Sequence, residues 1–262
     1  MIIKCSNEWK QRIFSYIGRD YEKCLYIYAD LKKYGMDSEY VMTWVNIIDD
    51  NIKAVLMQYH NGMHIYSDGL DYDKEEIVAL IQKMRPSMVL GVQTLILDIA
   101  NSLEEYHQEC GYIKRMKEVG EEYEDDNIRM ATVDDVVPLT EMLMSDVEFS
   151  VGYTFDEMYR QISERILDEY GKTFYICDQN QITAQLGIAA ELDDIIVISN
   201  VYTAKTYRNQ GYAAQLFSYI KQISANKKIY LFCYGDSLDR YYDKMGFETV
   251  QLWGKCIRQC SN

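Results

Sequence analysis

Proline is almost missing from this 262-residue chain, with two residues, Pro86 and Pro138, while 48% of positions are hydrophobic. That combination excludes a disordered or low-complexity chain. No apolar run reaches the roughly 18 residues that a membrane-spanning helix needs. Met1-Ile2-Ile3-Lys4-Cys5 has no signal-peptide core. No Cys-x-x-Cys pair occurs among the seven scattered cysteines, so reduced, mostly buried thiols in a cytoplasmic protein are expected. Basic residues are short too: 27 Lys and Arg against 41 Asp and Glu leave a net charge of −14. Both halves of the chain share the deficit, which argues against a nucleic-acid partner; no membrane partner is expected either. The acidity suits a cationic substrate, or a solvated surface that serves solubility alone. Histidine is scarce, at three residues. His60 and His64 have metal-ligand spacing for a helix, but Asn61-Gly62 between them is a hairpin signal that parts their side chains. His107 has no evident partner, so no metal is expected.

What is present concentrates in Val201–Asn226. Ile195-Ile196-Val197-Ile198 ahead of it reads as a strand. Ala213, Leu216, Phe217, Ile220 and Ile223 fall at helical spacing. The junction is Arg208-Asn209-Gln210-Gly211-Tyr212-Ala213. A loop opening directly into a helix aims unpaired backbone N–H groups at one place, and the helix dipole and Arg208 add positive charge. Gly211 removes the Cβ that would block close approach, and Ala213 is nearly as small. The natural ligand of such a cradle is a phosphate or pyrophosphate.

The order Val-Tyr-Thr-x-x-x-Tyr-Arg-x-x-Gly-Tyr-Ala between strand and amphipathic helix resembles the acetyl-coenzyme A loop of GNAT superfamily N-acetyltransferases. Arg208, Gly211 and Ala213 match the family pattern Arg/Gln-x-x-Gly-x-Gly/Ala in order. The resemblance implies that loop amides from Arg208 to Ala213 hold the coenzyme A pyrophosphate, and that the backbone of Val201, Tyr202 and Thr203 pairs with the pantetheine arm. Leu238–Phe247 resembles the second family signature, a tyrosine four residues before Gly-Phe, which falls on Tyr242. A phenol there can protonate the thiolate as it leaves, so Tyr242 is the candidate general acid, and Tyr241 is expected to pack on the sheet. Two departures stand out. Gly235 occupies the position of a family asparagine that holds pantetheine, with Ser237 or main-chain groups as substitutes. The strand before the loop offers Ser199 and Asn200 where the family often has Glu or His, leaving Glu191 or water as the base. Direct attack in a ternary complex needs no covalent cysteine, and Cys233 reads as an inert strand residue.

The expected activity is transfer of an acetyl group from acetyl-CoA to a primary amine. The alternative is a silent coenzyme A-binding module acting as a sensor or interaction protein. The resemblance puts the acceptor site on about Thr132–Glu169, where Asp146, Glu148 and Asp156 suit a cationic small-molecule or peptide amine; it assigns no oligomeric state.

Residues 127–253 read as strand, two helices, three strands, helix, strand, helix, strand, an order the resemblance identifies as GNAT. The first half repeats it, from Ile2-Ile3 through helices near Trp9–Ile17 and Tyr21–Leu31 and three strands between Tyr40 and Tyr66. A helix at Asp73–Met84, a strand at Ser87–Leu90, a helix at Gln93–His107 and a strand at Tyr112–Val119 follow. The expected fold is α/β with a mixed sheet, in two tandem GNAT-like domains. These are residues 1–117 without the coenzyme loop, an acidic linker at 118–126, and a catalytic domain at 127–262. The first-half counterpart of the loop, Ser67–Asp73 before Glu75 and Glu76, carries carboxylates where pyrophosphate would sit.

Overall fold

The computed structural model describes residues 1–117, 127–167, 171–178, 181–224 and 226–259; the expected linker at 118–126 lies outside them. The chain forms two compact units. The first comprises Met1–Ile113, Cys233–Asp239 and Thr249–Asn262; the second comprises Lys114–Phe232 and Arg240–Glu248. The chain therefore passes between units more than once, rather than dividing only at the acidic stretch.

In the first unit the elements run β1 (Ile2–Lys4), α1 (Lys10–Ile17), α2 (Leu25–Tyr34), β2 (Val41–Ile48), β3 (Asn51–Tyr59), β4 (Gly62–Tyr66), α3 (Lys74–Met84), β5 (Met88–Val92), α4 (Gln93–Ala100) and β6 (Tyr106–Met116). Strands β1 to β4 pair antiparallel in sequence order, and β4 pairs parallel with β5. The last strand of the chain, β12 (Phe247–Arg258), pairs antiparallel with β5 from Trp253↔Val92 to Ile257↔Met88. Period-two alternation on β3 feeds two cores. Ala54 and Leu56 pack with α3 and α4 residues such as Ile77, Ile81, Leu95 and Ile99. Val55 and Met57 pack with Ile13, Ile17, Ile27 and Leu31 of α1 and α2.

The second unit runs β7 (Ile128–Met130), α5 (Val136–Met144), α6 (Val147–Gly152), α7 (Phe155–Leu167), β8 (Lys172–Asp178), β9 (Gln181–Glu191), β10 (Ile195–Thr203), α8 (Tyr212–Ile223) and β11 (Lys228–Tyr234), followed by α9 (Gly235–Lys244). Strands β7 to β10 are antiparallel, and β10 pairs parallel with β11 from Ile195↔Lys228 to Ile198↔Leu231. Neighbours on β8 point to opposite faces. Phe174 meets Tyr219 of α8 edge to face, and Tyr175 donates to Asp135 ahead of α5. Thr132 and Asp135 form a capping box that starts this helical segment. Val136, Leu143, Met158 and Ile162 close the core beneath Tyr202.

The expected α/β order is present in both halves, with shifted boundaries. The hairpin before β4 turns on His60-Asn61, since Tyr59 pairs with Gly62; the Asn61-Gly62 reading was one residue late. His60 takes the positive φ of 50° itself. Helix α4 stops at Ala100, and β6 begins at Tyr106; between them Leu103 turns back into the core, and Tyr106 donates its N–H to Leu103 O at 2.9 Å. Strand β12 runs five residues beyond Trp253. Gly254 suits this continuation, because a Cβ there would lie 3.0–3.3 Å from the Ile96 side chain. No helix among the described residues is long and apolar enough to cross a membrane.

Trp253 ties β12 into the first unit, 2% exposed and donating Nε1–H to Tyr234 Oη at 3.0 Å. Trp253→Ala should cost about 3–5 kcal/mol of stability. Denaturant unfolding checks this; a loss below about 1 kcal/mol would mean that the strand does not close that core.

Candidate active site

Helix propensity and the apolar stripe Leu216, Phe217 and Ile220 make α8 and bury its inner face. Its start is unusual. Gly211 is the N-cap with φ 85°, and no side chain caps the first turn. The first intrahelical bond runs from Gln215 N–H to Gly211 O at 3.0 Å, so the amides of Tyr212, Ala213 and Ala214 precede it without intrahelical acceptors. A Cβ on Gly211 would meet no atom within 4 Å, so the space beside the loop is open. Asn209 is also left-handed, φ 63°, two residues earlier. Alternation of this kind turns successive N–H groups inward into an anion-binding nest. Asn209 was expected only as a loop amide; its conformational part shows in the residue type, since Asn tolerates positive φ.

The strand feeding the loop is bulged. Ser199 pairs with Gly187 and Tyr202 with Gln185, so β10 carries one residue more than β9 between those points. Asn200 absorbs the bulge at φ 53°. Gly187 faces it, because a Cβ there would lie 3.2 Å from both Ser199 O and Oγ. The bulge re-aims Val201, Tyr202 and Thr203 just before the loop.

Arg208 is engaged within the protein. Its Nε donates to Thr203 O at 3.1 Å, its Nη2 lies 3.2 Å from Asp146 Oδ2, and its guanidinium stands 5.5 Å from the Tyr202 ring centre. Tyr202 is held by Phe149 edge to face at 6.2 Å and by a 3.5 Å hydroxyl contact with Ser145. The arginine therefore staples loop, strand and the α5–α6 corner, and the anion-binding capacity rests mainly on backbone N–H groups. Asp146, expected as an acceptor-attracting carboxylate, is this staple's partner. Asp156 is exposed in the first turn of α7, and the Glu148 side chain lies outside the described residues.

Tyr242 sits in the last turn of α9 and is 7% exposed. Its ring lies edge to face with Phe217 of α8 at 6.1 Å and Phe247 of β12 at 5.5 Å. Tyr241 is 41% exposed, so the packing expected of Tyr241 belongs to Tyr242. The second unit contains Val201, Tyr202, Thr203, the loop Arg208–Ala213 and Tyr242, the last packed on Phe217 of the helix that the loop opens. Ser237 lies exposed in the first turn of α9, in the segment that groups with the first unit. Gly235 before it has φ 76° and open space around its absent Cβ.

Glu191 ends β9 opposite Ile196, seven residues before Thr203 along β10, a span of roughly 20 Å. Lys172 and Lys227 hold its carboxylate at 2.6 and 2.8 Å. Burial alone would raise its pKa, but the two lysines outweigh burial and keep the carboxyl below its ordinary value. Glu191 is not brought to the coenzyme loop. Among the described residues no three His, Cys, Asp or Glu side chains converge as metal ligands.

The first unit treats its corresponding helix differently. Asp73 caps α3 and accepts from Glu76 N–H at 3.1 Å. Glu76 lies 2.6 Å from the Met1 amino group and 3.0 Å from Asn46 Nδ2, and Asp71 pairs with Lys53.

Comparison with known proteins accords with this geometry. Residues 170–249 match the family described as acetyltransferase (GNAT) domain. A search of curated proteins returns no match. Among solved structures, a Drosophila protein superposes with a TM-score of 0.69 at 8% identity, covering 98% of each chain. A GCN5-related N-acetyltransferase from Sphaerobacter thermophilus gives 0.64 at 14% identity, covering 100% of this chain and 97% of that one. A GNAT-family acetyltransferase from Colwellia psychrerythraea gives 0.60 at 10% identity, covering 99% and 100%. At these identities the superpositions speak for fold alone, a fold shared with GNAT acetyltransferases, and the match to the GNAT acetyltransferase domain lies over residues 170–249.

Proposed function

We propose that the protein is an N-acetyltransferase that moves an acetyl group from acetyl-CoA to a primary amine by direct attack in a ternary complex. The observation that carries this reading is the glycine-capped start of α8, whose first-turn amides lack intrahelical acceptors, in the same compact unit as Tyr242. The amides and the helix dipole would receive the pyrophosphate, and the backbone of Val201–Thr203 the pantetheine arm. The amine nitrogen attacks the thioester carbonyl; as the C–S bond breaks, Tyr242 gives its proton to the departing sulfur. The proton lost by the amine leaves through water, because Glu191 is occupied by two lysines at the far end of β10. With Asp146 taken by Arg208, the exposed Asp156 in the first turn of α7 is the carboxylate that favours a cationic amine as acceptor.

A second reading, coenzyme A binding without turnover, is favoured by Gly235 and by the engagement of Glu191. Calorimetry with acetyl-CoA, followed by thiol release with ethanolamine, putrescine, glycinamide, taurine and benzylamine, separates the two. Binding with no thiol release on any amine would select the silent module, and equal rates on all five would remove the cationic preference.

Gly211→Glu should abolish measurable acetyl-CoA binding. A carboxylate about 5 Å from the pyrophosphate opposes it by about 3 kcal/mol at intermediate screening, more than a hundredfold in affinity. Unchanged affinity in calorimetry would refute the loop assignment. Tyr242→Phe should lower turnover about a hundredfold with coenzyme affinity held within about twofold, and its pH–rate profile should lose the alkaline limb. Full activity would return Tyr242 to a packing role. Calorimetric stoichiometry should be one acetyl-CoA per chain, because Asp73 already occupies the α3 amides; two equivalent sites would contradict a coenzyme-free first half.

A further inference from the structure

We propose that Lys114, on the closing strand of the first half of the sequence, is a positioning residue for Tyr242. The proposal rests on Tyr242 being the acid described above. Lys114 belongs to the second compact unit by its contacts, although it precedes the acidic stretch. Its side chain is fully buried, and its ammonium lies 2.6 Å from Asp243 Oδ1, on the residue that follows Tyr242. A buried ammonium is tolerated only when paired, so this contact fixes both partners. The next residues of β6 extend the grip. Arg115 directs Nε and Nη2 onto Glu248 Oε1 at 3.2 and 2.7 Å. Lys117 donates its backbone N–H to Gly246 O at 2.9 Å and places Nζ 3.5 Å from Glu248 Oε2. The segment 242–248 is thus held on two sides. Asp243, Gly246 and Glu248 are bound to residues 114–117, while Tyr242 and Phe247 pack together and against Phe217.

This arrangement gives the buried lysine a task that core stability alone does not require, since an apolar residue would serve stability as well. The ion pair sets where the last turn of α9 stops, and with it the position of the Tyr242 hydroxyl. Misplacement by about 1 Å at a reacting group is enough to cost one to two orders of magnitude in rate. The consequence for organisation is that the acid-bearing turn depends on residues 114–117, so a fragment beginning at residue 127 would carry Tyr242 without its anchor.

The test is a double-mutant cycle on kcat using acetyl-CoA and the fastest amine of the panel above, with coenzyme affinity measured by calorimetry. Lys114→Met should lower kcat about tenfold or more, with the coenzyme Kd changed less than about twofold. Adding Lys114→Met to Tyr242→Phe should cost little further, because both act through one hydroxyl. Multiplicative losses, or wild-type kcat in Lys114→Met, would overturn the proposal. Lys114→Met/Asp243→Leu removes the pair without stranding a charge, and serves the same cycle if the single variant does not fold. Full kcat in that folded double variant would equally overturn it. Failure of the acid assignment shows separately, as full activity in Tyr242→Phe alone.

Discussion

A helix must find acceptors for its first-turn amides, and the two halves of this chain meet that requirement in opposite ways. At α3 the protein supplies the acceptor itself, the Asp73 carboxylate, which takes the Glu76 N–H, while the Asp73 N–H donates to Asn46 Oδ1 and the Glu76 carboxylate binds Asn46 Nδ2 and the Met1 amine. At α8 it supplies a glycine, and the amides stay available for a ligand. The positive φ at Asn209 and Gly211 orients the loop, and the bulge at Asn200 aims the strand that leads into it. The functional reading of the whole chain follows from that one vacancy in the backbone hydrogen-bonding of α8.

The charged residues that the sequence offers for the site, one beside the loop and one at the far end of β10, are committed to structure. Arg208 binds Asp146 and Thr203, and Glu191 binds Lys172 and Lys227. A site whose charges are already paired attracts a phosphate chiefly through dipoles held in place by the fold. Such dipoles cost no reorganisation when the ligand arrives. Tyr242 is packed among aromatic rings that fix its direction, whereas Tyr241 is free to meet solvent.

Chain connectivity and compact units do not coincide. The last strand completes the sheet of the first unit against β5, and the end of β6 is counted with the second unit. A strand such as β5, with Val89 and Val92 buried, would otherwise present an unpaired apolar edge, which is an aggregation hazard. Covering it with β12 removes that edge and makes the first unit dependent on residues more than 150 positions further along the chain.

Much of this was legible from local pattern. Period-two runs such as Ile195–Ile198, the apolar stripe of α8, the Arg208–Ala213 junction and the repeated element order all depend on neighbours within a few residues. Local physical chemistry determines those features. Glycine at position 211 announces room for a close approach to the backbone, and the carboxylates before α3 announce a helix start unsuited to an anion. What only the tertiary structure decided involves partners distant in sequence. Nothing near Arg208 names Asp146, and nothing near Glu191 says that two lysines neutralise it. Which of Tyr241 and Tyr242 packs inward turned on which ring faces Phe217. Nothing near Lys114 marks it out, because its partner is Asp243, 129 residues away. Burial and pairing are properties of the assembled fold, whereas periodicity and capping belong to the chain itself.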